Sequence, residues 1–149
     1  VSDTVKTRIV SDLMSAIENV TKKNGYNRTV RKVSTTSVPV TDAQRDLVFI
    51  TTGNETKTDR TNAVTECSLT VMIGCVVEDF SDLMKAVHDI SADVTKAILS
   101  DPTRGGLAVD TRVSRIEDQV SSDLEPLGSC IMEVQIRYRH AWGDPYTVI

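Results

Sequence analysis

Aromatic side chains are scarce in this sequence: two Phe, one Trp and three Tyr make up 4% of it. That is too few to build a platform on which single-stranded bases stack. Histidine is scarcer still, with only His88 and His140. They form no HExxH pair and stand beside no cysteine pair, so the spacing that a zinc site needs is missing. The cysteines, Cys67, Cys75 and Cys130, are odd in number and include no CxxC. This excludes a disulfide framework on spacing alone. They read as small core residues in a reducing compartment. Basic charge is in deficit, with 17 Lys and Arg against 21 Asp and Glu, a net charge of -4. A protein whose main task is to grip nucleic acid usually carries a basic face. No apolar run is long enough to span a bilayer, and no signal-peptide pattern is present, so no membrane partner is expected. Val1 in first place is what removal of an initiator Met would leave.

Catalytic patterns are equally sparse. A nucleophile needs a base within reach and usually a third group to orient it. Neither histidine is flanked by a GxSxG-type motif, and His88 with Asp89 reads as a solvent-facing helix pair. Glu78-Asp79 and Glu117-Asp118 flank elements, as loop and cap residues do. Arg104-Gly105-Gly106 lacks the GxxxxGK[ST] pattern of a phosphate loop and reads as the turn after a helix. Lys22, Lys23, Arg28, Arg31 and Lys32 form the one basic cluster. Lys22 and Lys23 fall where a helix should end, and cations there complement its dipole. The expectation is therefore a protein that is not an enzyme and holds no cofactor and no metal.

What the sequence does contain is patterning. With 149 residues, 40% hydrophobic and 26% charged, it fits one domain, residues 1–149, with a full core. Val5, Ile9, Leu13, Ala16, Ile17 and Val20 recur at helical spacing and predict a helix over about 4–23, stopped by Asn24-Gly25. Tyr26, Val30 and Val33 suggest a short strand, and Val38-Pro39-Val40 an extended connection. Leu47 to Thr52 predicts a strand, Gly53 to Thr61 a polar turn, and about Asn62 to Val77 a long alternating return strand. Leu83, Met84, Val87, Ile90, Val94, Ala97 and Ile98 form the apolar face of a helix over about 81–99, capped by Ser81 or Asp79. Val109, Thr111 and Val113 alternate with Ile116 out of phase, which predicts a bulge. An acidic loop is expected over 118–127. From Ser129 to Ala141, Cys130, Met132, Val134, Ile136 and Tyr138 face inward, with Glu133, Gln135, Arg137 and Arg139 opposite. The fold class that follows is α+β: a mainly antiparallel sheet of four to five strands, two helices on one face, order α-β-β-β-α-β-β.

The return strand is longer than a compact monomer needs. A run of ~16 residues spans roughly 50 Å, whereas a globule of this size is about 40 Å across. The hairpin tip, about Thr52 to Val64, is thus expected to project as an arm or to lie against a neighbour; a mobile solvent loop is the equal alternative. Asn54, Lys57 and Arg60 are its candidate contact residues. Near the other terminus Tyr138, Trp142 and Tyr146 come close together, and Gly143-Asp144-Pro145-Tyr146 reads as a turn followed by an aromatic. Trp142, Asp144 and Tyr146 are candidate anchors, because aromatics near a chain end often serve interfaces. The competing reading has Trp142 covering one end of the core.

Taken in order, these features resemble one family. They are the first helix ending in Asn24-Gly25-Tyr26, the hairpin with its long second strand, and the helix carrying Phe80-Ser81-Asp82-Leu83. With them go the Asp101-to-Leu107 turn and the ending Ile136-Arg137-Tyr138-Arg139 through Gly143-Asp144-Pro145-Tyr146. Together they resemble the tail terminator, or tail-completion, proteins of long-tailed bacteriophages, over nearly the whole length. The resemblance implies a virion subunit that forms a ring, typically a hexamer, after assembly in the host cytoplasm. Such a ring caps the finished tail tube, ends its polymerisation and offers a surface to the head-side connector. Genomic DNA passes through its lumen without specific binding, and an acidic protein suits such a conduit. The family brings no catalytic residues with it. A head-closure or other neck connector is the nearest alternative. A small cytosolic α+β ligand-binding domain or enzyme is a more distant one.

Overall fold

A computed structural model describes residues 2–35, 46–61, 63–120 and 126–149. Helix α1 is Val5–Glu18. Thr4 caps it in an extended conformation, its hydroxyl accepting from the Thr7 amide at 3.1 Å. Val5, Ile9, Leu13 and Ile17 are buried as one row. The helix stops about five residues earlier than expected. Thr21 is extended (φ -139°, ψ 154°) and caps a separate 3₁₀ turn, Lys22–Asn24, so the two segments cannot merge. Gly25, at φ 90°, ends that turn in the left-handed region, where Asn24-Gly25 was expected to act.

The remaining elements are β1 (Lys32–Ser34), β2 (Leu47–Thr61), β3 (Val64–Glu78), α2 (Leu83–Leu99), β4 (Asp110–Val120), β5 (Leu127–Ala141) and β6 (Asp144–Val148). The strands form one six-stranded sheet of order β1-β2-β3-β5-β4, with β6 also on β5. β1 runs parallel to β2, and the other pairs are antiparallel. The fold is α+β, with the strand count raised by β6, which was expected as a turn. Gly143 at φ 73° reverses the chain there, and β6 pairs with β5 beyond Arg137, the partner of the first residue of β4.

One face of the sheet carries the core. Cys67, Leu69, Val71, Ile73, Cys75 and Val77 of β3 meet Cys130, Met132, Val134, Ile136 and Tyr138 of β5, all buried. Both helices pack on that face, with Ile9, Leu13, Ile17, Val87, Ile90, Val94 and Ile98 in the same cluster. The opposite face is polar and partly exposed. Phe49 lies on it over Gly74, where an added Cβ would come within 2.4 Å of the ring. Two segments fix the close approach of α2. Gly128 faces Val87, which would sit 2.4 Å from a Cβ there. Asp82, and not Ser81 or Asp79, caps α2, accepting from the Lys85 amide. Asp79 takes the Ser81 and Asp82 amides one turn earlier.

The polar turn expected over Gly53 to Thr61 is strand. Glu55 to Asp59 pair in unbroken register with Leu69 to Thr65. Thr51, Thr52, Thr56, Thr58 and Thr61 are β-branched and suit a pleated, half-exposed strand. Gly53-Asn54 is a two-residue irregularity in the ladder, and the chain reverses only beyond Thr61. The bulge expected near Ile116 is present, as a register shift between Val113 and Arg115. β4 continues through Asp118 to Val120, so that part of the expected acidic loop is strand. The expected extension at Val38-Pro39-Val40, Asn62, and 121–125 of the acidic loop lie outside the described residues.

Candidate functional site

Two strand edges are open among the described residues. β1 pairs with Leu47 to Phe49 only, so the outer edge of β2 from Ile50 to Thr61 meets no other described strand. β4 meets β5 on one side and no described strand on the other. Unpaired edges present rows of N–H and C=O groups to any incoming strand. On β4 the exposed residues include Ile116 and Val120, at 43% and 44% exposure. Both lie on the helix side of the sheet, opposite Met132 and Gly128. Met84 and Phe80, at 60% and 83% exposure, stand at the nearby start of α2. His88 Nε2 lies 3.6 Å from the Asp118 carboxylate, joining α2 to this edge. His88 is exposed on α2, as expected of a solvent-facing helix residue, while Asp89 takes Lys85 at 2.7 Å.

The six candidate contact residues all lie on β2, the β5–β6 turn or β6. Asn54 is exposed within the β2 irregularity. Arg60 pairs with Glu66 at 3.0 Å, and Arg139 reaches the same carboxylate at 3.1 Å. Trp142 is 58% exposed and does not cover the core, and its amide donates to Ala63 O at 2.9 Å. That bond brings the β2–β3 tip and the β5–β6 turn together. Asp144 accepts from the Tyr146 amide at 3.1 Å and from the Thr147 hydroxyl at 2.6 Å, which hold its carboxyl below the usual range. Tyr146 is 43% exposed, and its carbonyl accepts from Arg8 of α1 at 3.0 Å.

Lys57 belongs to a different environment. After the irregularity at Gly53-Asn54, Glu55 and Lys57 point to the helix side, opposite Leu69 and Cys67. Tyr138 donates to Glu55 at 2.7 Å, and Lys6 of α1 and Lys57 flank the same carboxylate at 3.3 and 3.4 Å. Burial pushes the Glu55 carboxyl up, but the Tyr138 hydroxyl and the two ammonium groups outweigh it, so its pKa falls below the ordinary value. Lys57 Nζ lies 3.0 Å from His140 Nε2. An ammonium can only donate, so Nε2 accepts and Nδ1 carries the hydrogen toward Ala141 O at 2.7 Å. The cluster fastens β2 to β5 across β3. Its signal in the sequence was the polar end of two inward rows: Tyr138 then His140 in β5, and Thr65 at the start of β3.

Within the basic cluster Arg28 forms a clasp, whereas Lys22 and Lys23 lie in the separate 3₁₀ turn and not in the last turn of α1, where they were expected. Arg28 donates to Asp46 at 2.8 Å, to Asp79 at 3.4 Å and to Glu78 O at 3.1 Å. Asp93 of α2 accepts from the amides of Asn27 and Arg28. Arg104 was read only as a turn residue, yet its side chain is fully buried. It donates to Ile98 O and Asp101 O and lies 3.3 Å from the Asp12 carboxylate of α1. Cys67, Cys75 and Cys130 are free and buried. Among the described residues, no group of three or more His, Cys, Asp or Glu could hold a metal ion. No described helix is long and apolar enough to cross a membrane.

The chain is thus an α+β sheet protein with helices on one face and, among the described residues, open strand edges on either side. No protein-family model matches it, and no curated protein matches it. Among solved structures it is similar to a chain of the virion of a native gene transfer agent particle. The identity is 15%, 90% of each chain is covered, and the TM-score is 0.48.

Proposed function

We propose that this chain is a structural virion subunit that forms a ring, with six copies as the expected number, at the head-proximal end of a phage tail. The ring ends polymerisation of the tail tube and joins the tail to the head-side connector. Genomic DNA passes through its lumen without specific binding. The observation that carries the reading is a pair of strand edges, β2 beyond Phe49 and β4, that meet no other strand among the described residues and lie on opposite sides of one sheet. A subunit with two different open edges can meet one neighbour on each side, which is what a closed ring requires. The sequence resemblance supplies the place of that ring in the particle. The exposed end bearing Arg60, Trp142, Asp144 and Tyr146 is the surface offered to the tube or the connector.

Electron microscopy of particles made without this chain tests the reading. Tails of uncontrolled length are expected. Tails of normal length left unattached to heads would instead favour a head-closure role. Complete, infectious particles made in its absence would sink both.

A further inference from the structure

We infer that neighbouring copies join through β4 of one and β2 of the next, forming one continuous antiparallel sheet. The inference rests on the ring reading and deepens it by naming the interface. Strand direction is its first support. β2, β3, β5 and β4 alternate strictly, so β2 and β5 run one way and β3 and β4 the other. When a second copy is placed alongside in the same orientation, its β2 meets the first copy's β4 antiparallel. An odd number of alternating strands would have forced a parallel joint.

The ladder geometry limits where pairing can occur. β2 is regular from Glu55 to Asp59, between its two irregularities. β4 is regular from Arg115 to Val120, beyond its bulge. Side chains on the helix side must meet others on the helix side, which restricts the registers to steps of two. One register puts Lys57 opposite Asp118, Thr56 opposite Gln119 and Thr58 opposite Glu117. A shift of two one way sets Glu55 against Asp118. A shift of two the other way sets Asp59 against Asp118. Like charges directly opposed are unfavourable, so within the two regular stretches charge selects the first register. It sets Arg60 opposite Arg115 just outside the regular stretch of β2, where each already holds an acidic partner, Glu66 and Glu117. It also sets Ile116 opposite Asp59 and Val120 opposite Glu55.

Paired cysteines test the joint directly. Thr56→Cys with Gln119→Cys in one chain places both thiols on exposed strand positions, away from the buried native cysteines. Oxidation of the concentrated protein is expected to give a ladder of dimer, trimer and higher multimers under non-reducing electrophoresis. Each single variant should stay uncrosslinked. Dimers from Gln119→Cys alone would show a two-fold β4–β4 contact and overturn the inference. An oligomer of the double variant that yields no crosslinks would overturn it too. The ring reading fails separately, if microscopy finds no ring of this chain in the particle while the ladder still forms.

Discussion

Arg104 is a side chain that a linear reading passed over and that the fold buries completely. It satisfies carbonyls at the C-terminal end of α2 and faces Asp12 of α1, so it ties the two helices together. Its backbone is also left-handed, at φ 52°. Arg104→Met should cost about 2–3 kcal/mol, because buried carbonyls lose their donors and Asp12 loses its charge partner. Urea denaturation reads this as a lowered midpoint, and an unchanged midpoint would remove Arg104 from the account. Tyr138→Phe is a milder change, deleting one hydroxyl from the Glu55 carboxylate. The expected loss is about 1–2 kcal/mol, with the far-UV spectrum unchanged. The acid limb of stability belongs to the same scale. Backbone amides of Asp82 and Ser81 hold the Asp79 carboxyl well below its usual range, and Thr103 and Gly105 do the same for Asp101. Their folded pKa values lie below the unfolded ones. Their contribution is therefore complete above about pH 4 and is lost as pH falls through the lowered folded values. Midpoints measured from pH 7 downward should hold until about that point and then drop. Asp79→Asn should shrink the drop.

Elements were legible wherever one face is apolar. The inward rows of β3 and β5 and the stripes of α1 and α2 follow from side-chain period alone, because burial selects one face and the period is fixed. The bulge in β4 was legible too, since Ile116 returns to the inward face one residue late. The outer half of β2 was not. Gly53-Asn54 looks like a turn, and the residues after it are polar on both faces, so no hydrophobic period marks them as strand. The pairing there comes from β3, a partner that the local sequence does not announce. β6 was hidden for the same reason, and the end of α1 because Thr21 can sit in a helix or cap a new turn. Of the six candidate contact residues, Arg60, Trp142, Asp144 and Tyr146 lie around the joined tips, while Lys57 stands on the helix side of β2, its side chain 45% exposed beside Glu55 and His140, a placement that the irregularity at Gly53-Asn54 hides from a linear reading. Helix placement adds a prediction at this scale. Gly128 lets α2 approach the sheet, and a Cβ there would meet Val87 at 2.4 Å. Gly128→Ala should displace α2 and cost about 1–3 kcal/mol by overpacking. Combining it with Val87→Ala should recover part of that loss, as a shared steric cause requires. A double variant as unstable as the sum of the singles would point elsewhere.

For the whole molecule the question is what becomes of an open sheet in solution. Soluble proteins blunt free edges with charge, proline or bulges. β2 and β4 carry bulges and several charges, but the run of β4 beyond its bulge also exposes Ile116 and Val120. That combination limits promiscuous pairing while keeping one regular stretch available to a matching strand. A single charge at this stretch should therefore separate folding from assembly. Ile116 is exposed in the monomer, so Ile116→Glu should alter its stability by no more than about 0.5 kcal/mol. In the continuous sheet, however, the new carboxylate would stand directly opposite Asp59 of the neighbouring copy, a like-charge pair. Light scattering behind size-exclusion chromatography should then find monomer where the unaltered chain forms an oligomer, with matching circular dichroism spectra. Retention of the full oligomer by Ile116→Glu would place the contact on another surface. The exposed Trp142 and Tyr146 end would then have to hold the copies together. Assembly would run along the strands instead of across them, giving stacks in place of a ring.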